Sequence, residues 1–192
     1  MITVVSGLAR SGTSLMMQML AAGGMPVLTD GQRVPDEDNP RGYCEWEPVK
    51  LLAEQPAHID EAEGKAVKVI SSLLTALPEG REYRIILMER PLEEVAASQI
   101  STLRRRGTSE VSLDPAEFAA TLQSHIDNVF EWLARQSGIT TRTFRYHDVL
   151  RDPHAIASQV CEFLHAELDI TAMAAQADPD LYRRRSPGGA TL

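Results

Sequence analysis

The chain has 192 residues, of which 43% are hydrophobic and 24% are charged, and its formal net charge is −8. This composition is ordinary for a globular protein with one sizeable core, so we predict a single domain over residues 1–185 and a loose tail over residues 186–192. The acidic balance disfavours nucleic acid and anionic membranes as partners, and the sequence has no apolar run of membrane-spanning length. The two cysteines, Cys44 and Cys161, give no disulfide framework and no metal-ligand spacing, which favours a reducing cytoplasm.

Short apolar segments alternate with helical patterns along the chain. The predicted strands cover residues 3–6, 25–28, 66–70, 84–88 and 141–145. Strands that alternate with helices favour a parallel sheet that is covered on both faces. The predicted fold class is therefore α/β, with three layers and a mainly parallel central sheet flanked by helices.

Two of the helices have clear start signals. Apolar residues recur at three- and four-residue steps over residues 116–135, directly after the pair Asp114-Pro115. Another helical stripe follows the pair Asp152-Pro153. Residues 29–42 and 104–115 lack such a period and are rich in turn-forming or small polar residues, so we interpret them as candidate lids or acceptor-site loops.

A glycine-bounded loop, GLARSGTS over residues 7–14, lies between the first predicted strand and a helical run. Such a loop directs backbone N–H groups and the positive end of the helix dipole at one anion. Its spacing is that of the phosphate-binding loop of nucleoside triphosphatases, but Thr13 stands where their lysine is expected. The cation of the loop is Arg10, three residues earlier. This displacement argues against an ordinary ATPase or GTPase and for a different phosphate ester.

At these residues the chain resembles the sulfotransferases. Arg10-Ser11-Gly12-Thr13-Ser14 is similar to their 5′-phosphosulfate-binding loop, and Arg90 and Ser98 have the spacing of their 3′-phosphate motif. Two further segments, NPRGYCE at 39–45 and YHDVLRDP at 146–153, resemble segments of short bacterial members of the superfamily. The resemblance implies a P-loop fold and a metal-free sulfotransferase. Its donor would be 3′-phosphoadenosine 5′-phosphosulfate (PAPS), and its acceptor a hydroxyl or amine of a small molecule or glycan.

The resemblance also implies a set of donor-binding residues. They are Gly7, Arg10, Ser11, Gly12, Thr13, Ser14, Lys68, Arg90, Ser98, Arg183 and Arg185. Arg10 counts as catalytic as well, because negative charge builds on the bridging oxygen as the phosphate leaves. Lys68 is a candidate for the donor sulfate, with a solvated strand end as the alternative. For Arg183 and Arg185 the alternative is a solvated charge cluster.

The acceptor hydroxyl requires a general base. Glu45 is the first candidate, because similar family members keep a glutamate after a glycine-aromatic pair. A carboxylate at a helix start is also stabilised by the helix dipole, so the position of Glu45 has a second explanation and its role as the base stays open. The reserve candidates are Glu47, Asp36 and His58.

Two other functions stay open. A P-loop kinase-like phosphotransferase using ATP and Mg²⁺ would lack the loop lysine, and Glu89 is its nearest substitute for a strand-end Mg²⁺ ligand. A non-catalytic nucleotide-binding protein would keep the loop without a working base. Homodimer formation remains a candidate for any of these functions.

Overall fold

The computed structural model of the chain describes residues 1–33, 35–36, 39, 42–105, 107 and 114–178. Arg183, Arg185 and the predicted tail over residues 186–192 lie outside the described residues. The same holds for most of the predicted loop after Arg105.

The described residues form a five-stranded sheet in which every neighbouring pair of strands is parallel. The strands are β1 (Ile2–Gly7), β2 (Val27–Leu28), β3 (Ala66–Lys68), β4 (Tyr83–Glu89) and β5 (Ile139–Arg145), in the spatial order β2-β3-β1-β4-β5. The predicted strands are thus confirmed, although β2 begins only at Val27, β3 ends at Lys68 and β5 begins at Ile139. All residues of the central strand β1 are buried, as its continuous apolar run predicts.

Helices connect the strands. In the described part these are α1 (Thr13–Ala22), α2 (Leu92–Arg105), α3 (Pro115–Ala134), α4 (Tyr146–Arg151), α5 (Pro153–Leu164) and α6 (Ile170–Ala174), with 3₁₀ turns at Glu47–Leu51, Pro56–Ala62 and Ser71–Ala76. The side chains of Asp114 and Asp152 accept hydrogen bonds from the first turns of α3 and α5, so both predicted start signals act as N-caps. None of the described helices combines the length and apolarity needed to cross a membrane.

Two buried clusters cover the two faces of the sheet. Val4 belongs to a cluster with Leu74 and Leu133, while its neighbour Val5 belongs to a cluster with Met17 and Val160. Successive side chains of a strand point to opposite faces, so β1 contributes to both clusters. This confirms the three-layer α/β architecture. Because the strands are parallel, the carboxyl ends of β1, β3 and β4 meet at one edge of the sheet.

Candidate active site

The loop between β1 and α1 has a conformation that glycine makes possible. Gly7, Arg10 and Gly12 have φ angles of 144°, 76° and 103°. A Cβ atom on Gly7 would lie 2.5 Å from the Met88 carbonyl oxygen, and one on Gly12 would lie 2.5 Å from the Tyr146 ring. The loop backbone therefore packs directly against the end of β4 and the start of α4, which leaves no space for a side chain at either glycine.

The start of α1 offers donors for an anion. The first intrahelical hydrogen bond runs from the Met16 N–H to the Gly12 carbonyl at 3.2 Å, and no described side chain caps the helix. The N–H groups of the first turn are therefore not used within the helix. The Ser11 hydroxyl is buried and has no hydrogen-bond partner in the described part. A buried hydroxyl without a partner is costly, and a bound anion would supply the missing acceptor.

The two arginines of the predicted phosphate motifs lie side by side. Arg10 Nε donates a hydrogen bond to Ser98 Oγ at 3.0 Å, and Arg90 donates through NH1 to the Arg10 carbonyl at 3.3 Å. Burial, with the positive charge of Arg90 nearby, lowers the pKa of the Arg10 guanidinium, although Tyr43 opposes the shift. An anionic ligand would offset this electrostatic cost.

A buried carboxylate orients Arg90. Arg90 Nε donates to Glu94 Oε2 at 2.8 Å, and their side chains are 9% and 3% exposed. His147 Nε2 lies 3.2 Å from the same oxygen, and the Arg90 guanidinium carbon lies 5.0 Å from the centroid of the Tyr146 ring. The sequence analysis missed Glu94. Its signal was a carboxylate four residues after an arginine at a helix start, which is the usual spacing of a helical ion pair.

Lys68 reaches the phosphate loop from the end of β3. Its side chain is buried, and its ammonium group donates to the Tyr43 carbonyl oxygen and lies 3.4 Å from Ser14 Oγ. Ser14 Oγ donates to the same carbonyl at 3.1 Å. Burial lowers the pKa of Lys68, while the nearby Glu45 carboxylate opposes the shift. The side chain therefore does not lie at a solvated strand end.

Glu45 lies beside Lys68 and forms an ion pair with a second cation, Arg33. Its Oε1 atom is 3.5 Å from Lys68 Nζ and accepts a hydrogen bond from Arg33 NH1 at 2.8 Å. The Arg33 guanidinium carbon lies 3.3 Å from the centroid of the Tyr43 ring. The Tyr43 hydroxyl donates to Asp36 Oδ1 at 2.6 Å, and burial together with this hydrogen bond raises the pKa of Tyr43. The sequence analysis did not identify Arg33, because no periodic pattern fixes its segment.

Comparison with solved structures identifies the fold. Sulfotransferase STF1 from Mycobacterium tuberculosis H37Rv matches with a TM-score of 0.59 at 18% sequence identity, covering 92% of this chain and 70% of that chain. Mouse sulfotransferase SULT7A1 in complex with PAP matches with a TM-score of 0.57 at 14% identity, covering 97% of this chain and 66% of that chain. This protein has the sulfotransferase fold. The sulfotransferase domain from the curacin biosynthetic pathway is also similar, with a TM-score of 0.55 at 15% identity over 94% of this chain and 78% of that chain. No protein-family model and no curated protein matches the sequence.

In this sulfotransferase fold a cavity of about 500 Å³ adjoins the phosphate loop. It lies between the ends of β4 and β5 and the helix α3, and Ser11, Arg90, Tyr146, Ile126 and Phe130 are among its lining residues. Its volume is in the range of small-molecule binding sites. The cavity thus combines apolar walls with the buried Ser11 hydroxyl and the Arg90 guanidinium.

Of the reserve base candidates, Asp36 joins the residues around Glu45 through its hydrogen bond with Tyr43, whereas Glu47 and His58 make other contacts. Glu47 pairs with Lys50 at 2.6 Å, and the His58 ring packs edge-on against Trp46 with centroids 6.4 Å apart. Neither contact involves the Lys68 cluster, which consists of Lys68, Glu45, Arg33 and Tyr43. Within the described part of the sulfotransferase fold, His, Cys, Asp and Glu side chains form no group of three or more that could hold a metal ion.

Proposed function

We propose that the protein transfers a sulfuryl group from PAPS to a hydroxyl or amine of a small-molecule or glycan acceptor. The observation that carries the proposal is the contact of Arg10 with both Arg90 and Ser98, which lie 80 and 88 residues further along the chain. The sulfotransferase fold supports it, and so does the PAP bound to the mouse relative.

The proposed donor site has two anionic ends. Gly7, Ser11, Gly12, Thr13 and Ser14 cradle the 5′-phosphosulfate at the start of α1. Arg90 and Ser98 bind the 3′-phosphate, and Arg10 lies between the two groups. Arg183 and Arg185, which lie outside the described residues, remain candidates for the 3′-phosphate. The buried Ser11 hydroxyl without a described partner supports this assignment, since the donor phosphate would accept its hydrogen bond.

Transfer forms a bond between the acceptor oxygen or nitrogen and sulfur, while the bond between sulfur and the bridging oxygen breaks. Negative charge then develops on the departing phosphate oxygen. Arg10 and Lys68 neutralise this charge, and both are already held at the loop by hydrogen bonds. Arginine keeps its proton at neutral pH, so Arg10 acts as a charge and a donor rather than as an acid.

Glu45 accepts the acceptor proton in this proposal. All described hydrogen bonds and ion pairs of the Glu45 carboxylate use Oε1, so Oε2 is the atom assigned to the proton. The products are the sulfated acceptor, the protonated base and adenosine 3′,5′-bisphosphate (PAP). A kinase function is not favoured, because the loop carries Thr13 in place of the lysine that binds nucleoside triphosphates.

A transfer assay tests the function. The purified protein is incubated with sulfate-labelled PAPS and a panel of hydroxyl and amine compounds, without added metal. Glu45→Gln should reduce turnover by roughly 10²–10⁴-fold if general-base catalysis is lost, while donor affinity stays within about twofold. Glu47→Gln is the matched control, because Glu47 forms an ion pair with Lys50 outside the cluster. Full activity of Glu45→Gln would move the base to another group.

A further inference from the structure

Arg33 presents a fixed and partly exposed guanidinium beside the proposed base. Its side chain is 34% exposed, so solvent reaches part of it. The guanidinium is held in place by the Tyr43 ring at 3.3 Å and by the Glu45 carboxylate at 2.8 Å. Tyr43 is itself fixed by its hydrogen bond to Asp36. Stacking and pairing reduce the conformational entropy that the arginine would lose on binding a ligand.

One donor edge of the guanidinium makes no hydrogen bond to a described residue. A guanidinium has five N–H groups, and the hydrogen bond that Arg33 makes to a described residue uses NH1 alone. The Nε and NH2 groups form the edge that binds carboxylate, sulfate or phosphate in a bidentate way. An anion on that edge would leave the contact between NH1 and Glu45 Oε1 intact.

Arg33 shares its carboxylate partner with a second cation. Lys68 is 3.5 Å from the same carboxylate oxygen that Arg33 contacts, so two cations share one anion there. Asp36 accepts a hydrogen bond from the Tyr43 hydroxyl. Arg33 therefore shares its carboxylate partner, and its remaining N–H donors can pair with an anionic ligand.

We propose that Arg33 binds an anionic group of the acceptor and thereby places the acceptor hydroxyl or amine at Glu45 Oε2. The acceptor class is therefore a hydroxy or amino compound that carries a carboxylate, sulfate or phosphate a few bonds from the nucleophile. This inference rests on the proposed sulfuryl transfer, and it adds the acceptor chemistry that the transfer alone leaves open. It makes Arg33 a specificity residue rather than only a partner that neutralises Glu45.

The test uses acceptor probes that differ in charge. The probes are 3- and 4-(hydroxymethyl)benzoate and their uncharged methyl esters, and the protein is saturated with PAP so that the donor site is filled. Calorimetry should show that at least one benzoate binds the complex about tenfold or more tightly than its ester, because a charge-assisted bidentate pair is made only with the benzoate. Arg33→Ala should remove this preference, and Arg33→Lys should restore part of it. Arg81→Ala, which breaks an exposed pair with Asp60, is the matched control and should leave the preference unchanged.

The outcomes separate this inference from the proposed function. A wild-type complex that binds the benzoates and the esters equally, or an Arg33→Ala protein that keeps the preference, overturns the role of Arg33. In both cases PAP binding would leave the donor assignment standing. Failure of PAP to bind the wild-type protein would instead overturn the sulfuryl-transfer proposal, and the Arg33 inference with it.

Discussion

Glu94 accepts a hydrogen bond from Arg90 Nε at 2.8 Å, and the carboxylate side chain is only 3% exposed. Removing one member of a buried ion pair leaves the other charge without compensation. The pair therefore links the stability of α2 to the orientation of the arginine assigned to the 3′-phosphate.

Glu94→Gln should lower the free energy of unfolding by about 3 kcal/mol, because the buried Arg90 charge loses the carboxylate that pairs with its Nε. Urea unfolding of the ligand-free protein measures this. Glu93→Gln is the control, since Glu93 is an exposed carboxylate in the same first turn of α2. This substitution removes the same negative charge from the helix N-terminus. Equal losses for both variants would show that the helix dipole, and not the pair, is responsible.

Arg90→Ala should weaken PAP binding by roughly 10–100-fold, because it removes a charge-assisted contact to the 3′-phosphate. Binding of adenosine 5′-phosphosulfate, which lacks the 3′-phosphate, should change much less. Calorimetry with both ligands gives the comparison. If Arg90→Ala folds poorly, the double variant Arg90→Met/Glu94→Leu, which removes both buried charges, replaces it in the same comparison. Equal losses for the two ligands would contradict the assignment of Arg90.

Gly12→Ala should destabilise the protein and reduce PAP binding, because its Cβ would lie 2.5 Å from the Tyr146 ring. Gly24→Ala is a close control: Gly24 has a φ of +94° against +103° for Gly12, but nothing lies within 4 Å of its Cβ position. Both variants carry the conformational strain, of about 1–2 kcal/mol. Gly12→Ala should cost roughly 1–3 kcal/mol more, since the clash adds to that strain. Thermal melts with and without PAP measure both effects.

PAP affinity should fall as pH rises through the alkaline range. Burial lowers the pKa of Lys68 from its ordinary value of 10.5, so its positive charge is lost at a lower pH than for an exposed lysine. The charged form favours the bisphosphate, so binding is strongest below this pKa and weakens above it. Lys68→Arg keeps its charge and should remove this part of the pH dependence. An unchanged pH profile in Lys68→Arg would mean that another group titrates.

Most of the fold follows from sequence patterns. The apolar residues of β1 predicted a buried strand, and the helical spacing of apolar residues predicted α3. The aspartates before α3 and α5 marked where those helices begin. The predicted ends of a strand were wrong where polar and apolar side chains alternate near them. β3 ends at Lys68 rather than at residue 70, because pairing with β1 and not hydrophobicity sets its length.

The candidate site was predictable where residue spacing carries the geometry. Arg10 follows β1 and Arg90 follows β4, while Ser98 lies about two turns further on, within α2. Because β1 and β4 are neighbouring parallel strands, their carboxyl ends bring these residues together. Arg33 lies in an irregular segment, and its contact with Glu45 depends on a loop path that no periodicity encodes. Glu94 was missed for another reason: its sequence spacing suggests a surface ion pair, and only the packing of α2 shows that it is buried.

The most direct test of the account is calorimetric binding of PAP to the wild-type protein without metal, compared with binding of ATP in the presence of Mg²⁺. The account predicts that PAP binds at least about tenfold more tightly, because Arg90 and Ser98 are assigned to a 3′-phosphate that ATP lacks. Tighter binding of ATP with Mg²⁺, together with no detectable binding of PAP, would contradict the proposed donor and favour a phosphotransferase.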